Sequence, residues 1–567
     1  MKAKFIKITV AFLLFAVNAG IAEGAINLSK IEGLKNNIYM YRDTVKNIDG
    51  RFSFNSPMFM IYPDNPLSNE QANQLVHELG LGELASTYSG SVGVINPVGS
   101  TYNDTEDLEA YKEFINRIRV ITNLKIIGIG KGATFVNNVI SRNAYEVAGI
   151  FTYGGKMTAK AAGNIPVPAY ISLGDKSLAA YYAKINDAVE ISKNEKHIHY
   201  ANKAEPLQQV VLNLDKKATL KDALNDAWKM LFSKNLRLSN YKHTGYMGGK
   251  FGEYGNYELE PYLMIEDLGV TRKTVKKALV GRDQPGGGTY FWYEFIPETV
   301  VNAPERSVPL VVLLHGNHND NRTQSECSGF VQIAARENLI IAEIEWQGSS
   351  TFSSDVYLGL DGIELVVEDL FKTYPQIDPT RVYAQGLSAG AMASAAMGIK
   401  KSHLFAAVAG HSGGVFDTPL FGSTYKTLMS EAKQKAGHVE TAYFLISGTG
   451  DMIITPPKPN NYQNNSLFNA LRVYQFMNGI PEAEVDFNAE PVLGLKMKDR
   501  ETIITNKNLT IETGKLYKGD KPLIQFSLII DYGHWNFYPS SQLMWDFFKQ
   551  YSRHPETKKL IYNKAEN

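Results

Sequence analysis

Short runs of almost unbroken apolar residues, spaced by segments of helix length, govern what this chain can fold into. Val311-Val312-Leu313-Leu314 and Tyr443-Phe444-Leu445-Ile446 are two of them. A strand without a polar face must be covered on both sides, so helices are required on each face of a mostly parallel sheet. From about residue 290 the pattern predicts strands at 290–297, 309–314, 339–345, 381–385, 405–409, 442–447 and 523–530. Helices are expected between them at 325–338, 357–374, 391–401, 465–478 and 541–552. The alternation also runs through the first half, with strands at 58–62, 93–96, 125–129, 147–152, 169–173 and 209–214. Helices at 70–81, 106–118, 133–141 and 220–232 complete that set. The expected class is α/β in two tandem domains with helices on both faces of each sheet, because 567 residues exceed one ordinary domain.

The N-terminus reads as a signal peptide over 1–22: Lys2, Lys4 and Lys7, an apolar run at 8–17, then Gly20-Ile21-Ala22. The run is too short to span a bilayer, which needs about 20 apolar residues. The expected location is therefore secreted or periplasmic, without a membrane span. Lys+Arg and Asp+Glu are 58 each, which gives no drive toward nucleic acid or an anionic membrane. Cys327 is the single cysteine, so no intrachain disulfide can form. The Gly- and Tyr-rich stretch at 243–258 marks a linker, 241–261, between an N-terminal domain at 25–240 and a C-terminal domain at 262–567.

Two strings fit G-x-S-x-G: Gly386-Leu387-Ser388-Ala389-Gly390 and Gly410-His411-Ser412-Gly413-Gly414. A nucleophile elbow needs a strand before it and a helix directly after it. Ser388 has both, whereas Ser412 runs into Val415-Phe416-Asp417-Thr418-Pro419, where proline stops a helix. On such a scaffold the chain order is Ser, acid, His. His534 follows a strand in Asp531-Tyr532-Gly533-His534-Trp535, while His554 lies near the tail. Asp451 leaves a strand through Gly448-Thr449-Gly450, with Asp417 and Asp531 as alternative acids. An oxyanion hole would use the N–H groups of Ala389 and of Asn317, or of Gly316, after Leu314-His315. Trp346 and Trp535, with Trp292, are candidates for a substrate groove or for core packing. No metal or other cofactor is expected; His197-Ile198-His199 has no partner cluster in sequence.

These stretches together resemble the poly(3-hydroxybutyrate) depolymerase and feruloyl/acetylxylan esterase group of α/β-hydrolases. The resemblance rests on 309–316 (PLVVLLHG), 377–392, 405–414, 448–456, 471–479 and Gly533-His534, and spans about 285–553. It implies a serine esterase working through an acyl-enzyme, with Ser388, Asp451 and His534 as triad and Asn317 and Ala389 as oxyanion hole. The substrate it implies is a polyester or a feruloyl or acetyl ester of polysaccharide. Asn317 stands where the group has Cys, Ala391 where it has Gly, and the polar segment 482–521 is an added stretch. A peptidase of prolyl oligopeptidase-like type, or a binding protein with both halves inert, are the alternatives.

The N-terminal domain reads as a degenerate copy. Gly128-Ile129-Gly130-Lys131-Gly132 occupies the elbow place with Gly130 for serine, and Tyr62-Pro63-Asp64 replaces Leu314-His315-Gly316. Aligning 212–218 with 528–534 puts Ala218 in the His place, and Asp175 is the relic acid. Gly130 to Gly155 is 25 positions (155 − 130), against 26 from Ser388 to Gly414 (414 − 388). Gly128-x-Gly130-x-x-Ala133 also fits a loose dinucleotide fingerprint, but on the third strand of its domain rather than the first. Lys131 lacks the rest of a phosphate loop. The domain is expected to pack on the catalytic half or to bind polymer or glycan. A fragment of 262–567 is expected to keep the hydrolytic site.

Overall fold

The computed structural model describes residues 26–42, 55–118, 122–158, 163–239, 257–278, 289–317, 319, 321–347, 359–418, 423–436, 439–504 and 509–564. The expected signal peptide and residues 241–256 of the expected linker lie outside them.

In the first half, apolar runs split between two cores. Met58, Met60 and Tyr62 pack into one and Phe59 and Ile61 into the other, the alternation that a strand buried on both faces requires. The strands are β1 (Ser29–Lys30), β2 (Ile38–Arg42), β3 (Met58–Tyr62), β4 (Ser91–Ile95), β5 (Leu124–Ile129), β6 (Val147–Tyr153), β7 (Ala169–Ser172), β8 (Val189–Lys193), β9 (His197–Ala201) and β10 (Gln209–Asn213). They form one sheet in the order β1-β2-β4-β3-β5-β6-β7-β10-β9-β8. A small antiparallel pair follows, β11 (Asn235–Ser239) with β12 (Tyr257–Pro261).

The second sheet is built from β13 (Val270–Ala278), β14 (Thr289–Pro297), β15 (Val308–Leu314), β16 (Ile340–Ile344), β17 (Ile377–Leu387), β18 (Ala407–His411), β19 (Ala442–Gly448), β20 (Lys498–Ile504), β21 (Thr510–Lys518) and β22 (Lys521–Ile529). Its order, β13-β14-β16-β15-β17-β18-β19-β22-β21-β20, repeats the first with every label advanced by twelve. β23 (Tyr551–Arg553) and β24 (Leu560–Tyr562) pair near the C-terminus. In both sheets the six central strands are parallel and the flanking ones antiparallel. An antiparallel second strand, a swap of the third and fourth, and parallel continuation make each an α/β-hydrolase-like sheet, so the fold is two such domains in tandem.

Several local expectations change. The helix expected at 325–338 is two helices, Asn321–Ser328 and Phe330–Glu337, broken at Gly329, whose φ of 84° no right-handed helix tolerates. The helix expected at 541–552 is Ser540–Phe548, and the chain then turns into β23. The polar stretch at 482–521 includes the whole of β20 and β21, which widen the second sheet at one edge. The expected linker ends inside structure: β12 pairs with β11, Tyr262 N–H bonds Lys234 O at 3.0 Å, and Tyr262 and Met264 are buried in a core of the first half. The chain therefore stays with the N-terminal half as far as Met264 instead of entering the second domain at 262. Among the described residues no helix is long and apolar enough to cross a membrane.

Candidate active site

Ser388 sits between β17 and the helix Ala389–Lys400 at φ 54° and ψ −114°, a conformation rarely held by a residue with a side chain. The turn is enforced from both sides. Ser388 N–H bonds His411 O at 2.9 Å, and a Cβ on Gly386 or Gly390 would run into Gly390 and Leu314 backbone respectively. The result leaves the serine half-buried at the carboxyl end of the sheet, directly before a helix N-terminus. The first N–H groups of a helix have no partner within it, so Ala389 N–H is available to a developing oxyanion. The exit of β15 crosses close by: a Cβ on Gly316 would lie 3.5 Å from Ser388 Cβ, and half-buried Asn317 follows it.

Asp451 and His534 meet although 83 residues separate them. His534 Nδ1 donates to Asp451 Oδ2 at 2.8 Å. Asp451 Oδ1 is held by the N–H groups of Ile453 and Ile454, each at 2.8 Å, so the carboxylate cannot swing away. A proton on Nδ1 leaves Nε2 as the basic nitrogen. Both side chains are buried. Asp417 is exposed. Asp531 occupies the turn before the histidine at φ 56°, its N–H held by Thr449 Oγ1 at 2.7 Å. The His554 ring accepts from Glu556 and Thr557 N–H in the tail.

The competing string at 410–414 packs beneath the elbow. Ser412 is fully buried, and its Oγ lies 3.0 Å from His411 Nδ1. His411 Nε2 accepts from Phe537 N–H at 3.2 Å, which places the ring proton on Nδ1. Burial, and then the nearby His534, push the His411 pKa down to about 3, so it stays neutral. The duplicate motif in sequence was the visible sign of this support.

Trp346 and Trp535 are 1% and 3% exposed, so neither offers a ring face to a groove. Trp346 Nε1 donates to His315 O at 3.0 Å, and His315 Nε2 meets Glu345 at 3.0 Å, tying together the exits of β15 and β16. Their assignment to substrate binding is corrected to core packing behind the site; Trp292 is fully buried too. A cleft of about 610 Å³ opens beside the Asp451 turn, lined by Phe416, Ile453 and Tyr462 and by the carboxamides of Asn460, Gln463 and Asn464. Sequence patterning missed it, and it missed a buried amide set under the histidine loop. There Gln324 Nε2 donates to Gln385 Oε1 at 2.7 Å, and Asn536 Nδ2 to Gln324 Oε1 at 2.9 Å. Single glutamines carry no periodic signal.

The N-terminal half keeps the elbow without the serine. Gly130 has φ 56° and ψ −113°, and its N–H bonds Tyr153 O at 3.0 Å as Ser388 bonds His411 O. A Cβ on Gly132 would strike Tyr62 O, as one on Gly390 strikes Leu314 O. Gly155 meets Ala133 as Gly413 meets Ala391, so the matching landmark is Gly413, one residue before the expected Gly414, and both spacings are 25 (155 − 130; 413 − 388). Asp64 Oδ1 accepts Lys131 N–H, the counterpart of Ala389 N–H, at 2.8 Å. That carboxylate fills the space a side chain on Gly130 would enter.

Register also corrects the strand alignment. Thr152 and Gly410 are equivalent, and they pair with Ile171 and Leu445, which pair in turn with Leu212 and Phe526. Leu212 thus matches Phe526 rather than Leu528. Asp451 lies 6 residues beyond Leu445 (451 − 445) but Asp175 only 4 beyond Ile171 (175 − 171). His534 lies 8 beyond Phe526 (534 − 526) and Ala218 only 6 beyond Leu212 (218 − 212). Both connections are two residues short, about 7 Å of extended chain. Elsewhere, His197 Nε2 faces Asp226 at 2.5 Å and His199 Nε2 faces Gln209 at 2.8 Å. Among the described residues no three His, Cys, Asp or Glu side chains are grouped to hold a metal.

The chain is thus a tandem α/β-hydrolase-like protein that carries the Ser388 elbow and the His534–Asp451 pair on loops at the carboxyl ends of strands of its second sheet. Among solved structures it is similar to an acetyl xylan esterase from Aspergillus awamori, at 16% identity over 49% of this chain and 99% of that one, with a TM-score of 0.35. It is similar to a ferulic acid esterase at 17% identity over 49% and 97% of the two chains, TM-score 0.30. An acylaminoacyl peptidase from Pyrococcus horikoshii is similar at 14% identity over 53% and 43%, TM-score 0.30. No family model and no curated protein matches the chain.

Proposed function

We propose that this protein is a secreted serine esterase whose C-terminal domain hydrolyses carboxylic esters through an acyl-enzyme on Ser388. The observation that carries the reading is the 2.8 Å contact of His534 Nδ1 with an Asp451 carboxylate fixed by two backbone N–H groups, at the same end of the sheet as the elbow. In the reaction Ser388 Oγ attacks the acyl carbon as His534 Nε2 takes its proton. Asp451 stabilises the imidazolium, and the N–H groups of Ala389 and Asn317 receive the oxyanion. Collapse expels the alcohol, protonated by His534. Water, activated by the same imidazole, then attacks the acyl-serine and releases the acid.

The carboxamide-lined cleft, reached from the Asp451 turn through Ile453 and Thr455, favours a hydroxyl-rich alcohol group over a polyester, because each carboxamide both donates to and accepts from hydroxyls. A feruloyl or acetyl ester of polysaccharide suits it. The Lys-rich, then apolar N-terminus supports export. The N-terminal domain, without serine at 130 or any histidine in the connection at 213–219, is read as non-catalytic and packed on the catalytic domain. Labelling with a fluorophosphonate, with Ser388→Ala as control, tests the nucleophile. Turnover of p-nitrophenyl esters against anilides tests the bond. Faster cleavage of anilides would replace the esterase reading with a peptidase.

A further inference from the structure

One short helix of the C-terminal half, Asn321–Ser328, touches both the N-terminal domain and the histidine loop. Arg322 and Glu326, one turn apart, bond each other and face the N-terminal half. Arg322 Nη2 donates to Ser89 O at 2.8 Å, and Ser56 Oγ donates to Glu326 Oε2 at 2.8 Å. Residue 324 lies two positions from each, on the opposite side of a helix. Gln324 exchanges hydrogen bonds with Asn536, two residues after His534, and with Gln385 on β17, three residues before Ser388. All three amides are buried, 0% to 4% exposed, so the network is shielded from water.

The N-terminal contact points are themselves tied into hydrogen-bonded turns. Asn55 O, beside Ser56, accepts from Asn123 Nδ2 at 2.6 Å, and Ser89 holds φ 52° in a turn closed by Gly90 N–H on Ala85 O at 2.7 Å. A second route runs parallel: Tyr538, four residues after His534, packs on Tyr262 with ring centroids 5.9 Å apart, and Tyr262 belongs to a core of the N-terminal half.

We infer that the N-terminal domain acts as a built-in brace for catalysis, holding the His534 loop in register through Ser56 and Ser89, the Arg322–Glu326 pair, Gln324 and Asn536. These are positioning residues; none touches substrate. The inference rests on His534 being the catalytic base. A displacement of about 1 Å in such a loop is enough to lower turnover by up to about a hundredfold.

The test uses the full chain. Ser56→Asp sets a negative charge against Glu326, and Glu326→Gln in the same chain removes the repulsion. The readouts are kcat and KM on p-nitrophenyl acetate, thermal unfolding, and the His534 titration followed by NMR of 13C-labelled histidine, assigned with His534→Gln. Asp451 contacts that ring, and His411 lies close enough to interact with it electrostatically. Ser56→Asp is expected to lower kcat about tenfold, leave KM within about twofold and move the His534 titration, with recovery on adding Glu326→Gln. Ser56→Ala, which only deletes one hydrogen bond, should shift kcat and the titration in the same direction by a smaller factor; it decides the matter if the aspartate variant does not fold. A folded Ser56 variant with wild-type kcat and titration, or a loss that Glu326→Gln does not recover, overturns the inference. If Ser388→Ala keeps full activity, the esterase reading fails instead, and the His534 titration still reports on the brace by itself.

Discussion

Ser388 and Ser412 share a motif and a positive φ, 54° and 51°, and differ in what surrounds them. Ser388 is half-buried at the sheet end, whereas Ser412 is sealed against His411. Ser388→Ala is expected to abolish fluorophosphonate labelling and lower kcat by at least about a thousandfold, because nucleophile and base act as a unit. Ser412→Ala should keep labelling and lose about 1 kcal/mol of stability, the worth of one neutral hydrogen bond, as read by denaturant unfolding. His411 adds a pH signature. Its folded pKa near 3 lies below the value of about 6.5 expected when unfolded, so above pH 6.5 it is neutral in both states and makes no difference. As pH falls from 6.5 toward 3 the unfolded chain takes the proton first, and stability is lost, by on the order of 4 kcal/mol at the acid end. His411→Gln should flatten that part of the stability–pH curve; equal slopes in both proteins would refute the assignment.

The two elbows are the same element with different contents. Their dihedral angles agree within 2°, yet one presents serine and the other is plugged by a carboxylate. Gly130→Ser is therefore expected to place Cβ against Asp64 and force a side chain into a strained turn. Together these should lower stability by about 2 kcal/mol or more and create no probe labelling in a Ser388→Ala background. Adding Asp64→Gly should relieve part of the destabilisation, a coupling that a double-mutant cycle on thermal unfolding would measure. It should still yield no esterase, because a serine without a base is a poor nucleophile and the shortened connection at 213–219 carries no histidine.

At the scale of the whole molecule, cutting the chain at 262 would be more than the removal of an inert neighbour. Tyr262 and Met264 would leave a core, and the buried Arg322–Glu326 pair would lose Ser89 and Ser56. A fragment of 262–567 is expected to aggregate, or to label with fluorophosphonate at least about tenfold more slowly than the full chain, if the brace operates. Labelling at the full-chain rate by a folded fragment would show that the second domain is self-sufficient.

The apolar strands, the helices between them, the duplication, and an elbow at Ser388 distinguishable from Ser412 by its neighbours were legible in residue order alone. Those features depend on residues a few positions apart, where periodicity and proline or glycine act directly. The rest came from long-range packing. Which acid meets His534 depends on turns 83 residues apart being brought together by β19 and β22. The burial of Trp346 and Trp535 depends on packing that an aromatic residue does not announce. The shift of the alignment from Leu528 to Phe526 depends on strand register, which no local pattern records. Asp64 in the vacant elbow, and Arg322 and Glu326 against Ser89 and Ser56, are contacts of single polar side chains across long stretches of chain. A hydrogen bond of that kind leaves no period in the sequence; it exists only once two distant backbones have been fixed by their cores.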